Sequence, residues 1–266
     1  INWIPVTLTF SFTTKEHKAN PYPKLYLEFG PLDIKILSDY QHEHTTHVVA
    51  KKRNTSKGLQ ALIDGKYIVH NDSFVNALLI STSPVDGNCA PLEVDFDKNF
   101  PNPIRFLPPK GDEPNYRDDK LFYPNKLRQN IFSGYIFVIY EERQYENLLS
   151  PITAGSGKAI LKVVRPNEIT AEDFVKFCGN IVSDLRMVNA SDPLETKIVI
   201  VVRYNPATGL ESEWYSEFCK NVALQLNHQL VEQNEFLDAI LANDASILKR
   251  PLNSKEFERI DFPASQ

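Results

Sequence analysis

The chain has 266 residues, 42% of them hydrophobic and 24% charged, a composition that allows two ordinary folded domains. Its net charge of −5 excludes binding of nucleic acid through overall positive charge, so such a role needs a local basic patch. The sequence also lacks the run of roughly 18 apolar residues that a membrane span requires, so no membrane contact is expected.

The first 82 residues alternate between strand-like and helix-like segments. Runs rich in β-branched and aromatic residues predict strands at VTLTFSF, LDIKIL, THVVA and KYIV, with helices between and after them. The resulting order is β-α-β-β-α-β-α. Alternation of this kind predicts a small, mainly parallel sheet with helices on its faces, and we assign residues 1–82 to a first domain.

A basic loop precedes the second of these helices. Four cations fall within seven residues of an otherwise acidic chain: Lys51, Lys52, Arg53 and Lys57. Thr55 or Ser56 can cap a helix that runs roughly from Lys57 to Asp64. Lys57 then lies at a helix N-terminus, where unpaired N–H groups favour an anion. The loop therefore indicates an anion site, a contact with the DNA backbone, or only a solvated loop.

Residues 83–127 have a different composition. Seven prolines fall between positions 83 and 120, together with many Asp and Asn residues, which predicts a stiff linker. Its apolar residues predict that it lies along the surface of a domain; they are Phe96, Phe100, Ile104, Phe106 and Leu107.

The pattern then restarts, and we assign residues 128–250 to a second domain and 251–266 to a tail. Strands are predicted at IFSGYIFVIY, KAILKVV, KIVIVVRY and HQLVE, and helices at RQYENLLSPI, ESEWYSEFCKNVALQL and NEFLDAILAND. An insertion at about 165–196 carries one more helix, TAEDFVKFCGNIVSDL. Trp214 and the apolar positions that follow it at a spacing of four, Phe218, Val222 and Leu226, predict a buried core. The same order appears twice, so the chain is predicted to be a tandem repeat of one fold.

These residues carry a family resemblance. The segment THVVA…KGLQALIDGKYIV…FVNALL resembles the second half of a BRCT domain, and the second copy is similar to a divergent BRCT domain. More narrowly, RQNIFSGYIFVIYEERQYENLLSPITAGSGKAIL and RFLPPKGDEP resemble the nibrin family, the FHA–BRCT–BRCT subunits of the double-strand-break repair nuclease complex. The resemblance implies an α/β fold with two BRCT domains in tandem, each a small, mostly parallel four-stranded sheet flanked by helices. It also implies that INWIPV is the last strand of an FHA domain that is otherwise missing.

The resemblance further implies a phosphate-binding site. Tandem BRCT domains hold the phosphate of a peptide with a hydroxyl, a backbone N–H and a cation from the end of the first strand and the start of the second helix. These groups fall on Ser11, Phe12 and Lys57, with Thr13 and Thr55 as supporting hydroxyls.

The second copy has carboxylates at the corresponding positions. Glu141 and Glu142 follow its first strand, and Glu211 and Glu213 begin its long helix, where they would repel a phosphate. We therefore expect phosphate binding in the first copy at most, with the second copy supplying flanking contacts and structural support.

Other motifs favour structural roles. AGSGK lacks the first glycine of a phosphate loop, where Ile152 stands, and has Ala159 in place of Ser or Thr after the lysine, so it predicts a tight turn. His42, His44 and His47 are of the right type for zinc, but no cysteine or fourth ligand is near in sequence. Catalytic motifs such as G-x-S-x-G and H-E-x-x-H are absent, so no enzyme, metal or cofactor is expected.

The function implied by the resemblance is that of a non-enzymatic phosphopeptide-binding adaptor. It would help recruit a repair and checkpoint complex to phosphoserine-containing chromatin or mediator proteins at DNA breaks. The nuclease, its ATPase partner and a checkpoint kinase would bind through regions outside this chain. A nuclear location is implied, and the three scattered cysteines agree with a reducing compartment. Two alternatives stay open: a structural spacer that supports the FHA domain, and a module that makes a weak DNA contact through Lys51, Lys52 and Arg53.

Overall fold

A computed structural model of the protein describes residues 6–85, 87–110, 116–188, 198–204, 206 and 210–252. Side chains are described for all of these except 182, 184–188 and 210. The chain divides into two compact units, Ile1–Gln129 and Asn130–Gln266. Several predicted segments fall partly outside the described residues: the strand INWIPV, the proline-rich linker at 86 and 111–115, the end of the insertion with the first residue of KIVIVVRY, and the tail.

The first unit is a parallel four-stranded sheet with helices around it. Its strands are β1 (Thr7–Ser11), β2 (Lys35–Leu37), β3 (His47–Ala50) and β4 (Tyr67–His70). Its helices are α1 (Thr14–Lys18), α2 (Tyr22–Phe29), α3 (Ser56–Ile63) and α4 (Asn71–Thr82). The strand order is β2-β1-β3-β4, and every pairing is parallel, which confirms the predicted sheet. Helix α1 is an addition that the prediction lacked.

The centre of this sheet is buried on both faces, as parallel sheets usually are. Leu8 and Phe10 of β1 and Val48 and Val49 of β3 are at most 1% exposed. Apolar residues of α2 and α4, among them Phe29 and Leu78, join the same core. The two middle strands therefore hold their carboxyl ends at a fixed position.

The proline-rich segment packs against the first unit, as its apolar residues predicted. It forms two one-turn helices, α5 (Pro91–Val94) and α6 (Phe96–Asn99), followed by 3-10 turns at Pro103–Phe106, Asp119–Phe122 and Lys126–Asn130. The rings of Phe100 and Phe106 lie 6.4 and 5.6 Å from that of Phe74 in α4, measured between centroids. Proline at the first position of α5 and the Asp95 cap of α6 explain why this stiff segment nevertheless forms short helical turns.

The second unit repeats the architecture with a smaller sheet. Its strands are β5 (Tyr135–Ile139), β6 (Lys158–Leu161) and β7 (Ile198–Val202), all parallel in the order β6-β5-β7. Its helices are α7 (Glu142–Ala154), α8 (Ala171–Val188), α9 (Leu210–Leu226) and α10 (Glu235–Ala242). The insertion does carry the predicted helix, α8.

The fourth predicted strand, HQLVE, differs from the expectation. Among the described residues it makes one parallel bridge, from Val231 to Val202, and one antiparallel bridge, from His228 to Pro251. The amide of Gln229 donates to the carbonyl of Arg250 at 3.0 Å, so this part of the segment bonds to the following chain and not to β7. Among the described residues, Val231 alone therefore pairs with β7 where a fourth strand was predicted.

The turn AGSG joins α7 to β6, as predicted. A Cβ atom at Gly157 would lie 2.8 Å from the Cβ of Phe132, and one at Gly155 would lie 2.5 Å from the Phe132 ring. Both glycines are therefore explained by close packing under the turn and need no bound phosphate.

His47 is a buried histidine within the first sheet. Its ring stacks on those of Tyr67 and Phe74 at centroid distances of 5.1 and 5.4 Å, and Nδ1 lies 2.8 Å from the hydroxyl of Thr46. Burial lowers the pKa of its imidazole to about 4. The ring is therefore neutral at neutral pH, as a core histidine should be.

We expect the free energy of unfolding to fall as the pH is lowered from about 6.5 towards 4. In this window the unfolded chain binds a proton at His47 that the folded chain excludes. The loss between pH 7 and pH 5 should be about 2 kcal/mol, and His47→Gln should remove it. Urea unfolding at the two pH values measures this, with the exposed His44→Gln as the control. Equal pH dependence in wild type and His47→Gln would contradict a neutral buried ring.

Candidate functional site

The candidate site lies where Lys57 reaches the carboxyl end of β1. Thr55 caps α3 by accepting a hydrogen bond from the amide of Gly58 at 3.1 Å, so Lys57 lies in the first turn of that helix. The Lys57 ammonium donates to the carbonyl of Phe10 at 3.0 Å and also to the carbonyl of Ser38. It is thereby fixed beside the ends of β1 and β2.

Ser11 and Phe12 follow Phe10 directly. Ser11 is the last residue of β1, and no partner for its hydroxyl is found in the part of the chain that the structure describes. The Phe12 ring stacks on Phe10 at 5.2 Å and meets Tyr22 edge-on at 5.6 Å. The structure thus brings Ser11, Phe12 and Lys57 to one edge of the sheet, although the last two are far apart in sequence.

The charge at this edge is not purely positive. Burial lowers the pKa of Lys57, while the nearby Asp39 carboxylate opposes that shift. Asp39 also accepts a hydrogen bond from the Ser38 hydroxyl at 2.9 Å. An ammonium has three N–H donors, and the two carbonyl contacts leave one for a ligand. Neither Ser38 nor Asp39 belongs to a motif, and only the pairing of β1 with β2 brings them here.

The two predicted supporting hydroxyls differ in availability. Thr13 caps α1, where its hydroxyl donates to the Glu16 carboxylate at 2.8 Å. Lys51 lies 2.6 Å from the same carboxylate, and these contacts, with that of Lys51 the largest, lower the pKa of Glu16 to about 2. The Thr55 oxygen accepts from Gly58, and its own O–H has no acceptor among the described residues, so it can donate to a ligand. Thr55 is therefore the better placed of the two.

The basic loop requires a correction at Arg53. Its side chain is turned inward and the residue is 9% exposed. Nε donates to the carbonyl of Pro108 at 2.5 Å, Nη1 lies 2.8 Å from an Asp119 oxygen, and the guanidinium carbon lies 4.8 Å from the ring centre of Phe122. Arg53 therefore ties the proline-rich segment to the first unit and does not belong to a solvated basic patch. Lys51 is paired with Glu16, and Lys52 is exposed.

Of the three histidines considered as zinc ligands, His42 and His47 contact other residues of the first unit, and His44 is exposed. His42 Nδ1 lies 2.8 Å from the carboxylate of Asp64, which also accepts a hydrogen bond from Tyr40 at 2.6 Å, and His47 is in the core. Across the described ranges, no group of three or more His, Cys, Asp or Glu residues is arranged to hold a metal. The helices in that part of the chain include none that is long and apolar enough to cross a membrane.

In the second unit, carboxylates occupy the positions predicted for them. Glu141 caps α7 and accepts hydrogen bonds from the amides of Arg143 and Gln144 at 3.1 and 2.6 Å. Glu211 and Glu213 lie in the first turn of α9. These carboxylates lie at the positive N-terminal ends of α7 and α9. The N–H groups there therefore already face negative charge, as a bound phosphate would otherwise supply.

Comparison with known protein families identifies this second unit. A family model described as "Second BRCT domain on Nijmegen syndrome breakage protein" matches residues 126–251. The second unit is therefore similar to the nibrin family of BRCT domains over the matched residues. The resemblance to nibrin predicted from the sequence is thus confirmed for the second unit, and the first unit has the same kind of parallel sheet flanked by helices.

Several solved structures are similar to the chain. Rtt107p in complex with a phosphorylated histone is 15% identical, with a TM-score of 0.43 and coverage of 93% of this chain and 94% of that one. The FHA/BRCT-repeat domain of S. pombe Nbs1 is 12% identical, with a TM-score of 0.41 and coverage of 98% and 65%. The S. pombe Nbs1–Ctp1 complex is 14% identical, with a TM-score of 0.41 and coverage of 97% and 62%. The chain therefore spans a little under two thirds of the Nbs1 chains, and the likeness to nibrin rests on the family model.

We expect Arg53→Leu to lower the free energy of unfolding by about 1–3 kcal/mol, because the carbonyl of Pro108 loses its donor and Asp119 its cation. The released segment should also be cleaved faster by trypsin at Lys110. Lys15→Leu, a change at an exposed lysine of α1 in the same unit, is the control and should alter both properties less. Urea unfolding and timed proteolysis measure the two effects. Identical behaviour of the two variants would show that the Arg53 contacts do not hold the segment.

Proposed function

We propose that the first unit binds phosphoserine peptides and that the chain is a non-enzymatic adaptor. The observation that carries the proposal is the 3.0 Å contact between the Lys57 ammonium and the carbonyl of Phe10. It joins a cation and a helix N-terminus to the strand end that offers the Ser11 hydroxyl. A phosphate requires this combination of a hydroxyl donor, backbone N–H groups and a cation.

In this proposal each group has a separate task. The Ser11 hydroxyl and the Phe12 amide donate to phosphate oxygens, and Lys57 supplies its remaining N–H and its charge. The N-terminal turn of α3 adds the favourable end of its dipole. Thr55 supports the site with its free O–H.

The relationship to nibrin supports the cellular context of the proposal. The phosphorylated partners would be chromatin or mediator proteins at DNA double-strand breaks in the nucleus. Recruitment of the nuclease, its ATPase partner and a checkpoint kinase would then use other regions of the full protein. The basic loop offers less to DNA than its sequence indicates, because Arg53 is buried and Lys51 is paired with Glu16.

We expect Ser11→Ala to weaken phosphopeptide binding roughly 10- to 100-fold, since a hydrogen bond to a charged group contributes about 1.5–3 kcal/mol. Lys57→Met should weaken binding at least as much. The probe is a peptide selected from a degenerate library with one fixed phosphoserine, titrated by fluorescence polarisation against its unphosphorylated twin. Thermal unfolding checks that both variants fold.

The DNA alternative is tested by comparing Ser11→Ala with a double variant of the basic loop. Lys51→Ala with Lys52→Ala should leave phosphopeptide affinity nearly unchanged and lower any salt-dependent binding of a short DNA duplex. If Ser11→Ala is silent and the lysine pair controls all binding, the loop serves nucleic acid and the phosphate proposal fails.

We expect Asp39→Asn to raise phosphopeptide affinity about two- to fivefold, because it removes an exposed negative charge beside Lys57. The gain should shrink at high salt, since exposed charges are screened. Asp33→Asn, the same change at the amino end of β2, is the control and should have no effect. Weaker binding by Asp39→Asn would mean that Asp39 holds Lys57 in place and does not oppose the ligand.

A further inference from the structure

The second unit contains a surface cavity that the proposed phosphate site does not use. It has a volume of about 430 Å³ and lies between α9 and the segment that leads into α8. The buried ring of Phe218 and the half-buried side chains of Trp214 and Ile169 form its apolar lining. Trp214 was predicted to be a core residue, but it is only partly covered.

Aromatic residues of the core hold the Trp214 and Phe218 rings of the cavity in place. The Trp214 ring stacks on Phe218 at 5.1 Å with an interplanar angle of 15°, and Phe218 packs edge-on against Phe174 and Tyr140 at 5.5 and 5.8 Å. Phe174 and Tyr140 are essentially unexposed core residues. The indole is therefore presented in a fixed orientation at the wall of the cavity.

The rim of the cavity is acidic. The lining residues include the exposed carboxylates of Glu168, Asp173 and Glu217 and no lysine or arginine. Neighbouring side chains satisfy these carboxylates only in part. Asp173 accepts from Thr170 at 2.8 Å, and Glu217 accepts from Asn221 at 3.1 Å.

Two cations outside the cavity also approach the rim. Arg165 lies 3.8 Å from a Glu168 oxygen, and Lys176 lies 4.0 Å from an Asp173 oxygen. Exposed pairs at such distances are weak and leave the carboxylates open to competition. Glu217 has no ion pair in the described part of the chain, which makes it the carboxylate most available to a ligand.

We propose that this cavity binds an arginine side chain on an exposed basic segment of a partner protein. The guanidinium would stack on the Trp214 ring and donate to the Glu217 carboxylate, while its aliphatic stem would cover Phe218. Arginine fits better than lysine because its planar group both stacks on an indole and forms paired hydrogen bonds to a carboxylate. The negative rim would favour a basic segment from a distance.

The test uses the peptide acetyl-Gly-Arg-Gly-Arg-Gly-amide and the fluorescence of Trp214, with Trp3→Phe in the background to remove the second tryptophan. We expect a saturable change in emission. The same peptide with citrulline in place of arginine, which keeps the shape and loses the charge, should not bind. A lysine peptide should bind more weakly.

Matched variants distinguish a specific arginine site from general attraction to an acidic surface. Glu217→Gln should weaken the arginine peptide about three- to fivefold, whereas Glu213→Gln, one turn earlier on α9 and outside the cavity lining, should not. Trp214→Phe, measured by calorimetry, should also weaken binding while the protein stays folded. Equal losses for Glu217→Gln and Glu213→Gln would reduce the effect to the acidic surface and overturn the proposal. Binding of the citrulline peptide, or no saturation at millimolar peptide, would overturn it as well.

Discussion

The parallel pairing of β1 with β3 is the constraint on which the first unit depends. Its register runs from Leu8 opposite His47 to Ser11 opposite Ala50, so both strands end at the same edge of the sheet. Parallel strands cannot be joined by a tight turn, and the connection between them is long. The end of β1 and the loop that enters α3 consequently meet in space while lying far apart in sequence. The candidate site exists only because of this pairing.

The elements of the fold were largely predictable from the sequence because their signals are local. The runs VTLTFSF and THVVA are apolar and β-branched, and parallel strands buried on both faces require such residues. Thr55 and Gly65 mark the start and end of α3, and Gly65 has the positive φ of 63° that favours glycine. Helix α1 was not predicted because it is short. The capping box of Thr13 and Glu16 is the sequence signal that would have indicated it.

Other features depend on contacts with distant parts of the chain, so no local sequence pattern predicts them. Arg53 reads as one more cation of a basic loop, yet its partners Pro108 and Asp119 lie far along the chain, in the proline-rich segment. The segment HQLVE has the composition of a strand, but Gln229 bonds to Arg250 and only Val231 reaches β7. Asp39 beside Lys57 is a further case, because an aspartate in a loop has no sequence signature. Contacts between distant parts of the chain determine the surroundings of Arg53, HQLVE and Asp39.

The two carbonyl contacts of Lys57 have a thermodynamic consequence. A free lysine side chain has rotamer freedom equivalent to about 1.5–2 kcal/mol, which is lost when the side chain is ordered. Here the ordering accompanies folding, since Phe10 and Ser38 hold the ammonium before any ligand is present. A ligand that meets an already immobilised cation has less entropy to lose on association. The folded protein is correspondingly less stable, because it keeps the partly desolvated charge of Lys57 at the edge of its central sheet.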